Sequence, residues 1–291
     1  MKPRLNIIGC GRAAGSLARL WLEADALRIG DICNREPASG IRSAERLGAG
    51  TAVGAIAEMR AAPVWMIGTN DHQIQGVAMR LAERGAVDGD CLVFHLAGRF
   101  GLSVLQPLEA SGARLVALHP VRSLTHNRLV LDDFRGTACV AEGAAEALGR
   151  LRPLIEAIGG RWMPVGHVDR GLYHAALSVV SNVTKGVAWK AQKWLESAGL
   201  PDETCAALTN QLLQSTTQDL LRFGASRSIT GPIVRGDTST VDAHLRAVEE
   251  AHPQDAEIYQ VFMRTVFELA QERGDLDEAT LERLAELLGG R

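Results

Sequence analysis

Aromatic residues make up only 4% of the 291 residues, which excludes the stacked-ring platform that holds single-stranded nucleic acid. An excess of one charge is also missing. Thirty-one Lys and Arg against 34 Asp and Glu leave a net charge of −3, so nothing argues for a nucleic-acid or acidic-membrane partner. The five cysteines (Cys10, Cys33, Cys91, Cys139, Cys205) are odd in number, scattered and free of C-x-x-C spacing. That usage fits buried thiols and excludes a disulfide framework or a zinc site, so no metal is expected. No run approaches the ~20 apolar residues of a membrane helix. Lys2 and Arg4 ahead of Leu5–Cys10 mimic a short leader, but the run falls below a leader's ~7–15-residue core and glycines break it. These absences lead us to expect a cytoplasmic protein that acts on a small molecule, with neither nucleic acid nor membrane as partner.

What is present is an alternating pattern. Short apolar runs at Leu5–Ile8, Ile29–Cys33, Val64–Ile67, Cys91–His95, Leu115–Leu118, Ala138–Val140 and Arg161–Val165 read as strands. Between them, Gly15–Glu23, Ser39–Leu47, Gln73–Arg84, Ser103–Ala110 and Ala144–Ile158 read as helices. This alternation predicts an α/β fold, a doubly wound and mainly parallel sheet covered on both faces. After about Gly166 the pattern turns helical: Leu172–Ala198, Asp202–Arg222, Thr238–Glu250, Gln254–Glu272 and Asp277–Leu288, with no further strand. The expected organisation is a dinucleotide-binding Rossmann domain over 1–165 and an all-helical substrate and dimerisation domain over 166–291.

The first strand runs into Gly9-Cys10-Gly11-Arg12-Ala13-Ala14 and then a helix, the G-x-G-x-x-G/A fingerprint in its required context. Gly9 permits the turn, Gly11 the close approach of a pyrophosphate, and Ala14 the packing of helix on strand. The N–H groups at the helix start, Arg12 first, offer a positive dipole end to phosphate. NAD enzymes usually place an acid about 20 residues on, for the ribose 2′-hydroxyl. Here the second strand ends in Asn34-Arg35, and Arg35 suits the 2′-phosphate of NADP. Asp31 is the competing acid, but it precedes the strand end. NADP (as NADPH) is therefore favoured over NAD.

Ligands of open α/β sheets collect beyond the carboxyl ends of the strands. Thr69 and Asn70 stand there for the ribose and nicotinamide side of the cofactor, and His95 and His119 for the substrate. Each histidine has an alternative, a bond to backbone at its strand end. On the long helix His174, Ser178 and Asn182 recur at i, i+4 and i+8, so that a regular helix puts them on one face among apolar neighbours. Buried polar groups need partners at about 1–3 kcal/mol each. A substrate is one such partner and a helix–helix network another. Arg235, in a Gly-Pro and Arg-Gly-Asp loop, would clamp a substrate carboxylate or pair with Asp237.

Several segments together resemble Rossmann-like oxidoreductases whose helical half is the domain of unknown function 2520. They are Gly9–Leu20, Gly68–Asp71, His95–Gly98, Leu118–Pro120, Tyr173–Ala176, Ser181-Asn182 and Thr230–Asp237. The group is related to pyrroline-5-carboxylate reductase, ketopantoate reductase and the 6-phosphogluconate dehydrogenases. Two positions depart from the pattern: Ala14 replaces the usual third glycine, and Ala97 stands where serine is common. The resemblance implies an NADP-dependent reductase that dimerises through its helical half. It also implies catalysis from the long helix, with His174 standing about where the relatives carry a lysine and serving as general acid. The expected reaction is hydride transfer to a small carbonyl or imine substrate, in the cleft between the domains. The alternatives are a non-enzymatic NADP-binding sensor and an oxidoreductase that uses a deazaflavin coenzyme.

Overall fold

The computed structural model describes residues 2–123 and 131–289. It divides into two compact units, Met1–Ser181 and Asn182–Arg291. Among the described residues the first unit holds eight strands: β1 (Arg4–Ile8), β2 (Arg28–Cys33), β3 (Thr51–Val53), β4 (Val64–Ile67), β5 (Leu92–His95), β6 (Arg114–Pro120), β7 (Ala138–Gly143) and β8 (Arg161–Pro164). Their order across the sheet is β3-β2-β1-β4-β5-β6-β7-β8. All neighbours pair in parallel except β6 with β7, where His119 stands opposite Val140. The order reverses at β1, and ligands collect at such a switch point.

Helices α1 (Arg12–Glu23), α2 (Pro37–Leu47), α3 (Ile74–Arg84), α4 (Leu131–Phe134), α5 (Ala145–Ala157) and α6 (Arg170–Ser178) complete this unit. Central strands are apolar on both faces, as strands covered by helices on each side must be. One core layer packs Leu5, Ile7, Leu17, Trp21 and Phe94 under α1 and α5. The other packs Ile8, Trp65, Ile67, Val77, Leu81 and Leu105 under α3. The five cysteines are buried and unpaired.

Three differences from the sequence reading have local causes. Strand β3 escapes notice because it is three residues long. Residues Leu102–Ser111 form a 3₁₀ helix in place of the expected α-helix, since Pro107 lacks an N–H and its ring crowds the preceding turn. The long helix of 172–198 is broken by a π-helical turn over Val179–Val183, after which α7 (Thr184–Ser197) resumes. A π turn carries more residues per revolution, so the 3.6-residue period that groups Asn182 with His174 and Ser178 does not hold through this segment.

The second unit contains α7, α8 (Asp202–Phe223), α9 (Ala225–Ser228), α10 (Thr238–Ala251), α11 (Ala256–Arg273) and α12 (Glu278–Leu287). Its small core joins Ile233, Val241, Phe267, Ala270, Leu284 and Leu288. A buried Asp255 accepts bonds from Lys190 and from the Trp194 indole, which fixes the turn ahead of α11 to α7.

Candidate active site at the carboxyl edge of the sheet

The glycine loop is shaped by contacts that leave no room for side chains. Gly9 has φ +84°, a left-handed conformation, and a Cβ there would lie 2.6 Å from the Thr69 nitrogen. A Cβ on Gly68, at the end of β4, would collide with the Ala14 Cβ and lie 2.7 Å from the Gly9 oxygen. This accounts for Ala14 in the third fingerprint place: the glycine that brings helix and strand together sits on β4 instead. Ala14 is fully buried, so it serves by packing and not by touching a ligand.

The α1 N-terminus carries Gly11 as N-cap with no side-chain cap and no acid in the first turn. Its free N–H groups and dipole end therefore face the loop unneutralised. Thr69 Oγ1 is buried without a hydrogen-bond partner. A cavity of about 310 Å³ opens here, lined by Gly9, Gly11, Asn34, Arg35, Thr69 and Asn70 among others. A larger one of about 750 Å³ shares Asn34, Arg35 and Thr69 and runs on to Ile56 and to Arg80 of α3. Uncapped amides, a glycine cradle and an orphaned hydroxyl fit a dinucleotide; Gly9, Gly11 and the α1 amides would hold its phosphates.

The β2 end separates the roles of three polar residues. Asn34 Oδ1 accepts the Cys10 N–H at 2.7 Å and its amide donates to Ser39 Oγ at 3.1 Å, so Asn34 fastens the glycine loop to β2. Asp31 is buried and forked onto the Arg60 guanidinium, and it accepts the Arg60 N–H as well. Burial pushes its carboxyl upward, but the Arg60 bonds outweigh this and hold it below the usual carboxylate range. Asp31 is thus removed from competition for a ribose. Arg35 is 78% exposed, with a loose 3.7 Å pairing to Glu36, the carboxylate that lines the same cavity. Arg12 is exposed at the first position of α1.

Past β4 the strand ends continue with His95 and His119. His95 is fully buried; its Nδ1 accepts the Ala97 N–H at 3.1 Å, which leaves Nε2–H to donate to the Gly101 oxygen at 3.0 Å. Both nitrogens belong to its own loop, so the backbone alternative describes His95 and a substrate contact does not. Burial pushes its pKa down to about 4. His119 Nδ1 lies 2.9 Å from the Tyr173 hydroxyl, and its ring is 6.2 Å from that of His174. Burial, then the neighbouring His174, Arg170 and His95, press its pKa to about 4 as well. Arg170, only 6% exposed, donates from Nε and Nη2 to Glu142 Oε2 at 3.0 and 2.8 Å, while its Nη1 is buried without a partner.

The structure thus brings His119 and His174 together and adds three residues that spacing did not reveal, Tyr173, Arg170 and Glu142. Tyr173 adjoins His174 in the chain and was the accessible signal. Ser178 is half-buried at the end of α6, whereas Asn182 is exposed and belongs to the second unit. The apolar residues around them are not buried: Val179 is 57% and Val180 74% exposed, which corrects the expectation of a polar stripe inside a buried helix. Arg235 is exposed in the second unit. The Asp237 beside it caps α10, accepting the Thr240 hydroxyl and N–H, bonds that together with Ser239 hold its pKa at about 2.

An α/β unit with a glycine-cradled switch point, followed by a helical unit, defines a Rossmann-type two-part protein. The chain carries a Rossmann-like domain matched over residues 1–120 and the domain of unknown function 2520 over residues 137–266. No curated protein matches it in sequence. Among solved structures, a Bacteroides fragilis protein proposed as an NADP oxidoreductase is similar over 92% of this chain and 98% of its own, at 19% identity and TM-score 0.74. The imine reductase of Myxococcus stipitatus with NADP+ is similar over 97% and 99%, at 17% identity and TM-score 0.65. A variant of that enzyme with NAD+ gives 98% and 99%, 19% identity and TM-score 0.63. The pyrroline-5-carboxylate reductase of Coxiella burnetii gives 99% and 99%, 19% identity and TM-score 0.58. At these identities the likeness is one of fold.

Proposed function

We propose that this protein is an NADPH-linked oxidoreductase that reduces a small carbonyl or imine compound, and that it works as a homodimer through its helical half. The observation that carries the reading is the groove at the glycine loop, where uncapped α1 amides, a buried partnerless Thr69 hydroxyl and an exposed Arg35 converge. Support for NADP over NAD comes from Arg35 on the groove wall and from Asp31 being locked to Arg60. Glu36 competes for the same guanidinium, which sets the preference below what a lone arginine would give. Titratable groups clustered at the ends of β5, β6 and β7 favour an enzyme over a sensor, because reduction requires a proton source and sensing does not. The fold shared with reductases that bind NADP+ or NAD+ supports the same reading.

When bound, the reduced dinucleotide supplies a hydride; the protein supplies orientation and the proton. Consumption of NADPH with a panel of small aldehydes, ketones and cyclic imines tests the reaction. We expect turnover with members of one class. Tight NADPH binding with no turnover on any of them, and no thermal stabilisation by them, supports the sensor instead.

A further inference from the structure

We propose that Tyr173 is the proton donor of this reaction and that His119 is its positioning residue. The proposal rests on the reading above that the sheet edge holds a reduced nicotinamide dinucleotide. Tyr173 is half-buried on the first turn of α6, with its hydroxyl 2.9 Å from His119 Nδ1 and the two rings edge-on, centroids 5.7 Å apart. Gly98 permits this arrangement. A Cβ there would stand 2.8 Å from His119 Cε1 and Nε2 and from His174 Cδ2, so only glycine lets the 95–98 loop close over both imidazoles. The Arg170 guanidinium lies 5.4 Å from the Tyr173 ring centre and is held in place by Glu142.

These neighbours suit a phenol that gives up its proton. His119 is neutral at ordinary pH, because burial, with His174, Arg170 and His95 as neighbours, disfavours its cation. A neutral imidazole carries one N–H. With that hydrogen on Nδ1 it donates to the phenol oxygen, and the phenol's own hydrogen is free for a substrate. The tyrosinate left behind then accepts the Nδ1–H bond and faces the Arg170 charge. Burial pushes the Tyr173 hydroxyl up from its ordinary pKa and Arg170 draws it back, while Glu142 neutralises part of the Arg170 charge. In the reduction the acceptor carbon gains the hydride with its electron pair, and the C=O or C=N π pair moves to oxygen or nitrogen. That atom takes the proton from Tyr173 Oη, and water reprotonates the tyrosinate.

The chain has two tyrosines, so Tyr259→Phe leaves Tyr173 as the sole tyrosine. Its ring-carbon NMR signal, labelled with ¹³C, then titrates alone. In that background His119→Phe should raise the Tyr173 pKa by roughly a unit, since the tyrosinate loses its N–H donor, and His119→Asn should restore much of the difference. A fall in pKa would mean that the phenol donates to His119, so that its hydrogen is engaged and the proposal is wrong; no change also overturns it. Tyr173→Phe should lower kcat by about 10²–10⁴-fold and leave NADPH affinity within about twofold. Unchanged turnover in that variant refutes the proposal. Wild-type protein that binds no NADPH refutes the cofactor reading itself, whereas binding without the tyrosine response refutes the role of Tyr173 and His119 alone.

Discussion

At the scale of single residues the fold separates arginines that build from arginines that wait. Arg60 and Arg170 are committed to Asp31 and Glu142, while Arg35 and Arg80 stand on the wall of the larger cavity. Charge-assisted bonds to a phosphate contribute about 1.5–3 kcal/mol each. Arg35→Ala and Arg80→Ala should therefore each weaken NADPH binding by roughly tenfold or more and leave NADH nearly unaffected. Arg35→Asp should narrow or reverse the preference. Fluorescence titration of both nucleotides reads this out, and an equal loss for NADH would show that the arginines do not face the 2′-phosphate.

The buried His95 makes a prediction about acid. Its pKa in the folded protein, about 4, lies below the ~6.5 of an unfolded histidine. As pH falls the unfolded chain takes the proton first. The stabilisation is therefore complete above about pH 6.5, declines below it and is used up near pH 4. At about pH 5 this amounts to roughly 2 kcal/mol, or a Tm several degrees lower than at about pH 7.5. His95→Gln should start from a lower Tm and show a flatter decline. A Tm constant over this range in the unaltered protein would contradict the buried neutral imidazole.

At the scale of elements, glycines of opposite roles give a paired test. Gly68→Ala forces the Ala14 Cβ away from β4 and should cost about 1–3 kcal/mol as overpacking, with NADPH affinity falling as α1 shifts. Gly149 lies inside α5 with open space around it, and Gly149→Ala should raise stability by up to about 1 kcal/mol. Denaturant unfolding of the two variants should move in opposite directions; a harmless Gly68→Ala would refute the close helix–strand approach.

Most of the sheet was legible in the sequence because parallel strands covered on both faces are continuous apolar runs, and because Gly9 and Gly11 mark the first crossover. Interruptions of regular geometry were not. Val179–Val183 has ordinary helix-compatible residues and nothing in their spacing shows the π turn, so the regular i, i+4, i+8 period does not extend to Asn182. Pro107 did carry a signal, its missing N–H, against an α-helix over Ser103–Ala110. In the site, position at a strand end was legible: Thr69 and Asn70 follow β4 and line the smaller cavity, and His119 lies at the end of β6. Their bonding was beyond reach. Asn34, at the cofactor edge of β2, lines the cavity and also ties Cys10 to Ser39, and His95 is enclosed by its own loop. His119 and Tyr173 are 54 residues apart, and the Arg170–Glu142 pair depends on the antiparallel β6–β7 pairing.

At the scale of the whole molecule, α8 displays Leu212 at 68% and Leu221 at 82% exposure, with Leu208, Leu220 and Phe223 also open. Apolar surface of this extent on a helical unit is expected to be covered by a second copy. Light scattering should report a dimer at micromolar concentration, and Leu212→Glu with Leu221→Glu should shift it toward monomer. A monomeric unaltered protein would remove this part of the proposal. No helix among the described residues is long and apolar enough to cross a membrane.

If the carboxyl edge of this sheet is an NADPH site, isothermal titration of the unaltered protein with NADPH and NADH will show it. We expect saturable binding of both with NADPH the tighter, and a loss of both on Gly9→Val, which fills the space beside Thr69. Binding of neither nucleotide, or NADH the tighter of the two, would contradict it.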